Sequence, residues 1–190
     1  NTGGAVALLA SARATIARCT FSGNRAATHG AAVFLSLSGA ALDGNTFSSN
    51  SAAGAGCIYW LATGSVAPSL GTNYFSDNSA LYGRDLATEA VNVDIVESNS
   101  SSSQTGGRRI LNSRDYSDQS AARGSLVVST YDSPVKSFSV VLRDYYNQTV
   151  VTDSSSYTEV SVVQDGISCN DDDGYVTGGT VERFNNGYAV

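Results

Sequence analysis

The sequence predicts an all-β protein in which a parallel β-helix of about three coils is followed by a β-sandwich. Three observations predict this fold class. A motif recurs three times in the first half of the 190 residues, its copies consist of short apolar runs separated by turn-forming residues, and the second half holds strand-like runs at short intervals. A repeat of this kind indicates stacked structural units.

The repeat is defined by one glycine and by the motif Phe-x-x-Asn-x-Ala. The glycines are evenly spaced along the sequence, and the motif recurs at almost the same interval, with a slightly longer step before its third copy. Three matches at nearly fixed spacing indicate one structural layer per copy. The repeated positions are Gly4, Gly30 and Gly56; Phe21, Phe47 and Phe75; Asn24, Asn50 and Asn78; and Ala26, Ala52 and Ala80.

The period and the composition favour a β-solenoid over helical repeats. Helical repeats run to roughly 33–47 residues and need amphipathic stretches with a helical rhythm. Here the apolar runs are as short as Val33–Leu35 and Ala40–Leu42, and Gly, Ser, Asn and Asp separate them. Because these residues favour turns, and because the frame of a leucine-rich repeat is absent, each copy is predicted to form one coil of short strands and bends.

Each repeated position then has a predicted physical role. Stacked coils place equivalent residues about 4.8 Å apart, so the phenylalanine rings are expected to stack along the core. The asparagines are expected to form a ladder of side-chain amides at one bend, where asparagine tolerates the left-handed backbone conformation. The glycines suit a second tight bend that leaves no room for a Cβ atom.

Several segments resemble a known repeat family: GGAV, CTFSGNRA, NTFSSNSA and NYFSDNSALYGRDLAT. They are similar to the GGA(I/V) and FxxN repeats of polymorphic outer-membrane-protein-like β-helices, which occur in chlamydial surface proteins and in large extracellular proteins of algae, oomycetes and other protists. Residues 80–88, ALYGRDLAT, resemble the eukaryotic versions, where this segment ends the β-helix ahead of an immunoglobulin-like module. The pattern departs at His29-Gly30 and Ala55-Gly56, which predicts a looser bend there. The resemblance implies a right-handed β-helix and surface display, adhesion or fibrous extracellular structure.

The repeat stops near residue 89, where a second half of different character begins. Residues 96–107 are Ser-rich and predict a linker or an exposed loop. The runs SLVVSTY, SFSVVLRD, YTEVSVVQ and GYVTGGTVERF predict a β-sandwich that is immunoglobulin-like only in architecture, since no Cys…Trp…Cys pattern is present. VVLRDYYNQTV resembles a hairpin of such modules. The predicted domains are a β-helix over 1–88, a connecting segment and cap over 89–124, and an incomplete immunoglobulin-like β-sandwich over 125–190.

Charged side chains are scarce, at 15% of residues, and the net charge is −6. Since phosphate binding requires clustered Lys and Arg, the sequence excludes nucleic acid as a partner. The longest apolar run falls far short of the roughly 18 residues that span a bilayer, so no membrane-spanning segment is predicted. With no methionine and a start inside a repeat, the chain is predicted to be a mature or partial segment of a longer protein.

Three cysteines, Cys19, Cys57 and Cys169, are too few and too dispersed for a disulfide framework. Their odd number leaves at least one thiol free or paired with another chain. Cys19 and Cys57 occupy different positions of the repeat, so a bond between them is not predicted. The simpler interpretation is that they are small buried residues.

No catalytic, cofactor-binding or metal-binding residues are predicted. A carbohydrate-active enzyme on a β-helix needs carboxylates gathered on one face of several coils, whereas Asp43, Asp77 and Asp85 fall at different positions of the repeat. His29, the only histidine, lies in the glycine bend and is interpreted as a bend residue. The run CNDDDG, residues 169–174, lacks the EF-hand frame and predicts a solvated loop.

Two N-glycosylation acceptors are present, at Asn99 and Asn147. Both fall in predicted exposed loops, so glycans at these positions are expected of an extracellular protein. Trp60 stands beside Tyr59 in the third copy and leaves three interpretations open. It is a sugar-stacking platform, a core residue, or part of the patch on which the sandwich docks.

These expectations favour a non-enzymatic extracellular structural or adhesive protein, the protomer of a glycosylated cell-surface or secreted filament. A short solenoid exposes unpaired strand edges and apolar side chains at both ends unless they are capped. Residues 84–95 are the candidate cap at the C-terminal end, and preceding coils or another subunit are expected to cover the N-terminal end. The expected partners are a second copy in a head-to-tail homopolymer, or further domains of a longer chain, together with glycans. The alternatives are a carbohydrate-binding adhesin and a polysaccharide lyase or hydrolase on a β-helix.

Overall fold

Every regular element among the described residues is a β-strand. The structure, a computed structural model, describes residues 3–63, 65–97, 138–154, 156–159, 163–164, 167–168 and 181–189. The chain divides into two compact units. The first comprises Asn1–Asn92 with Leu142–Thr152, and the second comprises Val93–Val141 with Asp153–Val190.

The first unit contains a parallel β-solenoid of about three turns, which confirms this part of the predicted fold. The first coil holds β1 (Val6–Leu9), β2 (Arg13–Ala17), β3 (Thr20–Ser22) and β4 (Arg25–Ala26); the second holds β5 (Val33–Ser36), β6 (Gly39–Asp43), β7 (Thr46–Ser48) and β8 (Ser51–Ala52); the third holds β9 (Ile58–Trp60), β10 (Ser69–Leu70) and β11 (Tyr74–Ser76); and β12 (Leu86–Thr88) follows. The sheet orders are β1-β5-β9-β12, β2-β6-β10, β3-β7-β11 and β4-β8. All of these pairs are parallel.

The strand register explains how coils of unequal length remain stacked. Val33 of the second coil pairs with Ile58 of the third, and Thr46 of the second coil pairs with Tyr74 of the third. The partners in β7 and β11 are further apart along the sequence than the partners in β5 and β9. The third coil therefore takes up its extra residues between β9 and β10, in a connection outside the strands.

The core lies at the second coil because neighbouring coils cover that coil on both sides. Inward and outward residues alternate in most strands, as in β6, where Ala40 and Leu42 are buried and Asp43 is exposed. Burial of each large apolar side chain stabilises the fold by about 1.5–3 kcal/mol. The principal core cluster consists of Phe21, Ala32, Val33, Leu35, Ala40, Leu42, Phe47, Cys57, Ile58 and Trp60.

The remaining described strands form smaller sheets. They are β13 (Asn92–Glu97), β14 (Phe138–Arg143), β15 (Tyr157–Glu159), β16 (Val163–Gln164), β17 (Ile167–Ser168), β18 (Val181–Arg183) and β19 (Tyr188–Ala189). β13, β14 and β19 form a three-stranded sheet in that order, and β15-β18 and β16-β17 are antiparallel pairs. No helix in the described ranges is long and apolar enough to cross a membrane.

Candidate functional site

The three repeated phenylalanines form a stack through the solenoid. The ring centroids of Phe21 and Phe47 lie 5.0 Å apart, and those of Phe47 and Phe75 lie 5.1 Å apart. The interplanar angles are 5° and 12°, so the rings are nearly parallel. Phe47 is fully buried between its two neighbours. Its position follows from the parallel register, which places equivalent residues of successive coils directly above one another.

The repeated asparagines form a hydrogen-bonded ladder with a fixed direction. The backbone N–H and the side-chain Nδ2 of Asn24 both donate to Asn50 Oδ1, at 3.0 and 2.8 Å. Those two groups of Asn50 donate in the same way to Asn78 Oδ1, at 3.0 and 3.1 Å. Asn50 Nδ2 also donates to the carbonyl of Phe21, and Asn78 Nδ2 to that of Phe47, at 3.0 and 3.1 Å. Each interface between coils therefore carries the same three bonds.

A second ladder runs two residues before each phenylalanine, and the sequence analysis missed it. The backbone N–H and Nδ2 of Asn45 both donate to Asn73 Oδ1 at 3.0 Å. Asn45 Oδ1 accepts from the backbone N–H of Cys19 at 2.9 Å. The second and third copies have asparagine at this position, which indicates a ladder, but the first copy has Cys19 there, so the position is not shared by all three copies.

The glycine bend is offset by one residue in the first coil. Gly30 and Gly56 have positive φ angles of 70° and 65°, and the equivalent positive φ of 77° in the first coil belongs to Gly3. Gly4 instead leaves room for a close approach of the next coil, because a Cβ atom there would collide with the Ala31 carbonyl oxygen. The bend continues one coil further, at Gly83, with φ 54°.

The N-terminal edge is defined as β1 to β4 with the side chains of Cys19 and Asn24. Among the described strands, it has partners on one side only. Within the described part of the chain, no donor reaches Asn24 Oδ1, although the equivalent oxygens of Asn50 and Asn78 each accept two hydrogen bonds. The thiol of Cys19 is exposed. Phe21 is only 9% exposed, but Val6, Leu8 and Ile16 are only partly buried and Leu9 is 55% exposed. The edge therefore presents apolar side chains beside its hydrogen-bonding groups.

The C-terminal end is closed by acidic side chains. Asp85 Oδ1 accepts from Asn78 Nδ2 at 3.0 Å and ends the first ladder. The Glu89 carboxylate accepts from the backbone N–H groups of Ala62 and Thr63 at 2.9 and 2.7 Å, which fixes the long connection of the third coil. The predicted cap over residues 84–95 therefore contributes hydrogen-bond acceptors as well as the additional strand β12.

A hairpin from much later in the chain completes this cap. Its turn follows β14 and is centred on Asp144, which is fully buried. Asp144 Oδ1 accepts from the backbone N–H groups of Tyr146 and Gln148, at 2.9 and 2.8 Å. Oδ2 accepts from the Thr88 N–H at 3.3 Å and from Gln148 Nε2 at 3.1 Å. Burial raises the pKa of Asp144, and the hydrogen bonds from Gln148, Thr88 and Tyr146 oppose that rise.

The hairpin covers Trp60, which answers the question left open for this residue. Trp60 is 2% exposed and belongs to the core cluster. Its Nε1 donates to the hydroxyl of Tyr146 at 3.1 Å, and the Tyr145 ring packs edge-on at 5.1 Å. Tyr59 is also buried. Neither aromatic side chain is available as a sugar-stacking platform.

The cap makes a direct prediction for Asp144→Asn. Either orientation of the new amide turns its NH₂ group toward two N–H donors, so we expect the cap to lose about 2–3 kcal/mol of stability. Trp60 is the only tryptophan, so its fluorescence during urea unfolding reports this region. Asp77→Asn, at an exposed position of the same unit, is the matched control. Equal unfolding midpoints for the two variants would contradict the proposed role of Asp144.

The acidic residues of the solenoid do not gather into one site. Asp43 accepts from the backbone N–H of Thr72 at 2.9 Å, Asp77 lies at a bend with φ 53°, and Asp85 closes the asparagine ladder. No group of three or more His, Cys, Asp or Glu suited to a metal ion occurs within the described ranges. Asp43 and Asp85 are thus used in separate hydrogen bonds, and Asp77 is exposed.

His29 links the second and third coils through a neutral imidazole. Its ring stacks on Tyr59 at a centroid distance of 4.5 Å, and its Nδ1 accepts from the Ala55 N–H at 3.1 Å. Gly54 is required beside it, since a Cβ atom there would lie 2.7 Å from the imidazole. Burial lowers the pKa of His29. Protonation of Nδ1 would also place two N–H groups against each other, which opposes the charged form.

The stability of the solenoid should therefore decrease as the pH falls below about 6.5, the ordinary pKa of histidine. Because the folded pKa is lowered, the unfolded chain takes up the proton first, and the loss continues until the pH passes below the folded value. For one proton the slope is at most about 1.4 kcal/mol per pH unit. Thermal unfolding by circular dichroism between pH 5 and pH 8 measures it. His29→Asn keeps an acceptor without the titration, and an unchanged pH dependence in this variant would refute the explanation.

The two described cysteines are free thiols in different settings. Cys57 is buried, and burial together with the nearby Asp85 raises the pKa of its thiol to about 12. Cys19 is exposed on the N-terminal edge and contacts the Ala17 carbonyl at 3.3 Å. Cys57 is consequently unreactive, because only the thiolate is nucleophilic. Cys169 lies outside the described residues.

Of the two glycosylation acceptors, only Asn147 lies within the described residues. Asn147 is exposed at the tip of the capping hairpin, with φ 63°, and its backbone N–H donates to the Asp144 carbonyl at 3.0 Å. Thr149, the third residue of this acceptor, receives a hydrogen bond from Arg143. Asn99 and the acidic run 169–174 lie outside the described residues.

No protein-family model, curated protein or solved structure matches the chain.

Proposed function

We propose that this chain is a non-enzymatic structural module of an elongated extracellular protein, part of a glycosylated cell-surface or secreted filament. The observation that carries the proposal is the asymmetry of the solenoid. One end is closed by Asp85 and the Asp144 hairpin, whereas no described residue outside the first two coils bonds to the N-terminal edge, which keeps the hydrogen-bonding pattern of the internal interfaces. A stack built in this way is suited to extension in one direction.

The use of the polar residues supports a structural role. Asn45, Asn50 and Asn78 are buried, and their side chains bond from coil to coil. Such ladders stabilise the stack, because a buried amide without partners costs about 1–3 kcal/mol. The carboxylates that a polysaccharide-cleaving enzyme would need are separated, and Trp60 is covered, so neither alternative function gains a specific observation.

We propose further that the first unit belongs to the polymorphic outer-membrane-protein-like β-helices, with the right-handed coil of that family. The recurrence of Gly and Phe-x-x-Asn in the stacked positions supports this assignment. The second unit is proposed to be an immunoglobulin-like module. Its antiparallel pairs of short strands are compatible with such a module.

The test of the proposed function uses the native material rather than isolated fragments. Negative-stain electron microscopy is combined with intact mass before and after enzymatic deglycosylation. Regular fibres and a mass decrease that becomes smaller in Asn147→Gln are the expected results. Single dispersed particles without a mass change would overturn the proposal of a glycosylated filament.

A further inference from the structure

The bonds between coils define what a partner of the N-terminal edge must supply. At each internal interface the coil nearer the N-terminus donates a backbone N–H and an Asn Nδ2 to the Oδ1 of the next asparagine, and its Phe carbonyl accepts from that asparagine's Nδ2. This set occurs between Asn24 and Asn50 and again between Asn50 and Asn78, with all distances between 2.8 and 3.1 Å. The repetition shows that one geometry serves both interfaces.

At the N-terminal edge, no described residue forms these three bonds on the outer side of Asn24. Asn24 donates to Asn50, yet in the described part of the chain its Oδ1 receives no donor and its Nδ2 reaches no carbonyl of the kind that Phe21 provides to Asn50. A strand edge with open N–H and C=O groups also borders this position. A partner that offers two N–H donors and one carbonyl in this arrangement would complete all three bonds.

We infer that the N-terminal edge binds a further parallel coil that carries Phe-x-x-Asn, with its asparagine stacked on Asn24. The backbone N–H and Nδ2 of that asparagine donate to Asn24 Oδ1, and the carbonyl of its phenylalanine accepts from Asn24 Nδ2. The phenylalanine ring of this coil stacks on Phe21, as Phe21 does on Phe47. The inference deepens the proposed structural function by naming the chemistry of the partner.

The C-terminal end of a second copy does not meet this requirement. There the ladder ends in the carboxylate of Asp85, which has acceptors only and already binds Asn78 Nδ2. Placed on Asn24, it would oppose one acceptor with another. In the second ladder, Asn73 of one copy would meet Cys19 of the other, and a thiol is a weak acceptor for an amide. Head-to-tail stacking of identical chains thus leaves both ladders incomplete.

The decisive experiment adds the missing coil to the full chain. A copy of residues 29–54 inserted before Gly3 places its asparagine ahead of Asn24 at the same spacing as that between Asn24 and Asn50. Four chains are compared. The inserted copy of Asn50 is either kept or replaced by Ala, and Asn24 is either kept or replaced by Ala. We expect the inserted asparagine to lower the unfolding equilibrium constant at least about fivefold more when Asn24 is present than when it is Ala.

Independent effects of the two asparagines would overturn the inference. If the first insertion does not fold, a copy of residues 3–28 inserted at the same place is measured instead. If neither inserted coil adds slowly exchanging amides, the inference is wrong. The unmodified chain is also examined by sedimentation, and we expect no association that depends on Asn24. A head-to-tail polymer abolished by Asn24→Ala would show that the partner is a second copy. Fibre formation and glycosylation are separate readouts, so the proposed function can fail without this inference.

Discussion

Replacement of Phe47 by alanine should be the most destabilising single change in the solenoid, with a loss of about 4 kcal/mol in the free energy of unfolding. Phe47 is fully buried, and its ring stacks on Phe21 on one side and on Phe75 on the other. The change removes buried apolar surface, leaves a cavity and breaks both aromatic contacts, each of which contributes about 0.5–1.5 kcal/mol beyond burial. Urea unfolding followed by far-ultraviolet circular dichroism measures the loss.

Phe75→Ala is the matched control for this prediction. Phe75 is only partly buried and has one ring neighbour in the stack, Phe47. We expect it to cost about half as much. A loss at position 75 as large as that at position 47 would mean that the phenylalanines do not form a continuous stack centred on the second coil.

Asn50→Ala should be nearly as costly, with an expected loss of about 3 kcal/mol. Asn50 is fully buried and participates in both sets of ladder bonds. Its removal therefore leaves the N–H groups of Asn24, the carbonyl of Phe21 and one lone pair of Asn78 Oδ1 without their hydrogen-bond partners. Asn50→Asp should also destabilise the fold, since a carboxylate keeps the acceptor but cannot donate to Phe21 or Asn78. Denaturant midpoints of the three chains provide the comparison.

Asn24→Ala tests the same ladder at its open end. Asn24 takes part in only one interface and is partly exposed, so we expect a loss of about 1–2 kcal/mol. A loss equal to that of Asn50→Ala would contradict the description of position 24 as the end of the ladder. The contrast between the two positions therefore tests the open edge as well as the ladder.

The repeat was sufficient to predict the β-solenoid because its physics is local and periodic. Once three copies stack in parallel, residues at equal positions must meet, and the contacts of Asn24, Asn50 and Asn78 follow from that. The ladder of Asn45 and Asn73 obeys the same rule, but Cys19 interrupts its sequence pattern. The offset of the first glycine bend, from Gly4 to Gly3, reflects backbone geometry that spacing alone does not specify.

The cap could not be predicted from periodicity. Asp144 lies far beyond Thr88 in the sequence, yet it is bonded to the backbone of Thr88, and nothing in the repeat indicates that contact. Its segment resembles a sandwich hairpin, yet hydrogen bonds to Thr88 and Leu86 and the hydrogen bond from Trp60 Nε1 to the Tyr146 hydroxyl determine where it docks. Contacts of this kind depend on complementary surfaces far apart in sequence, so the structure was needed to reveal that the two ends of the solenoid differ.

Residue-resolved amide hydrogen exchange on the full chain tests the central claim, an asparagine-laddered solenoid capped at one end and open at the other. We predict slow exchange for the backbone amides of Asn24, Asn45 and Asn50, which donate to ladder oxygens, and for Thr88, which donates to Asp144. The amides of β1 that face away from β5 should exchange rapidly. Rapid exchange at the ladder positions, or equal protection on both sides of β1, would contradict the account.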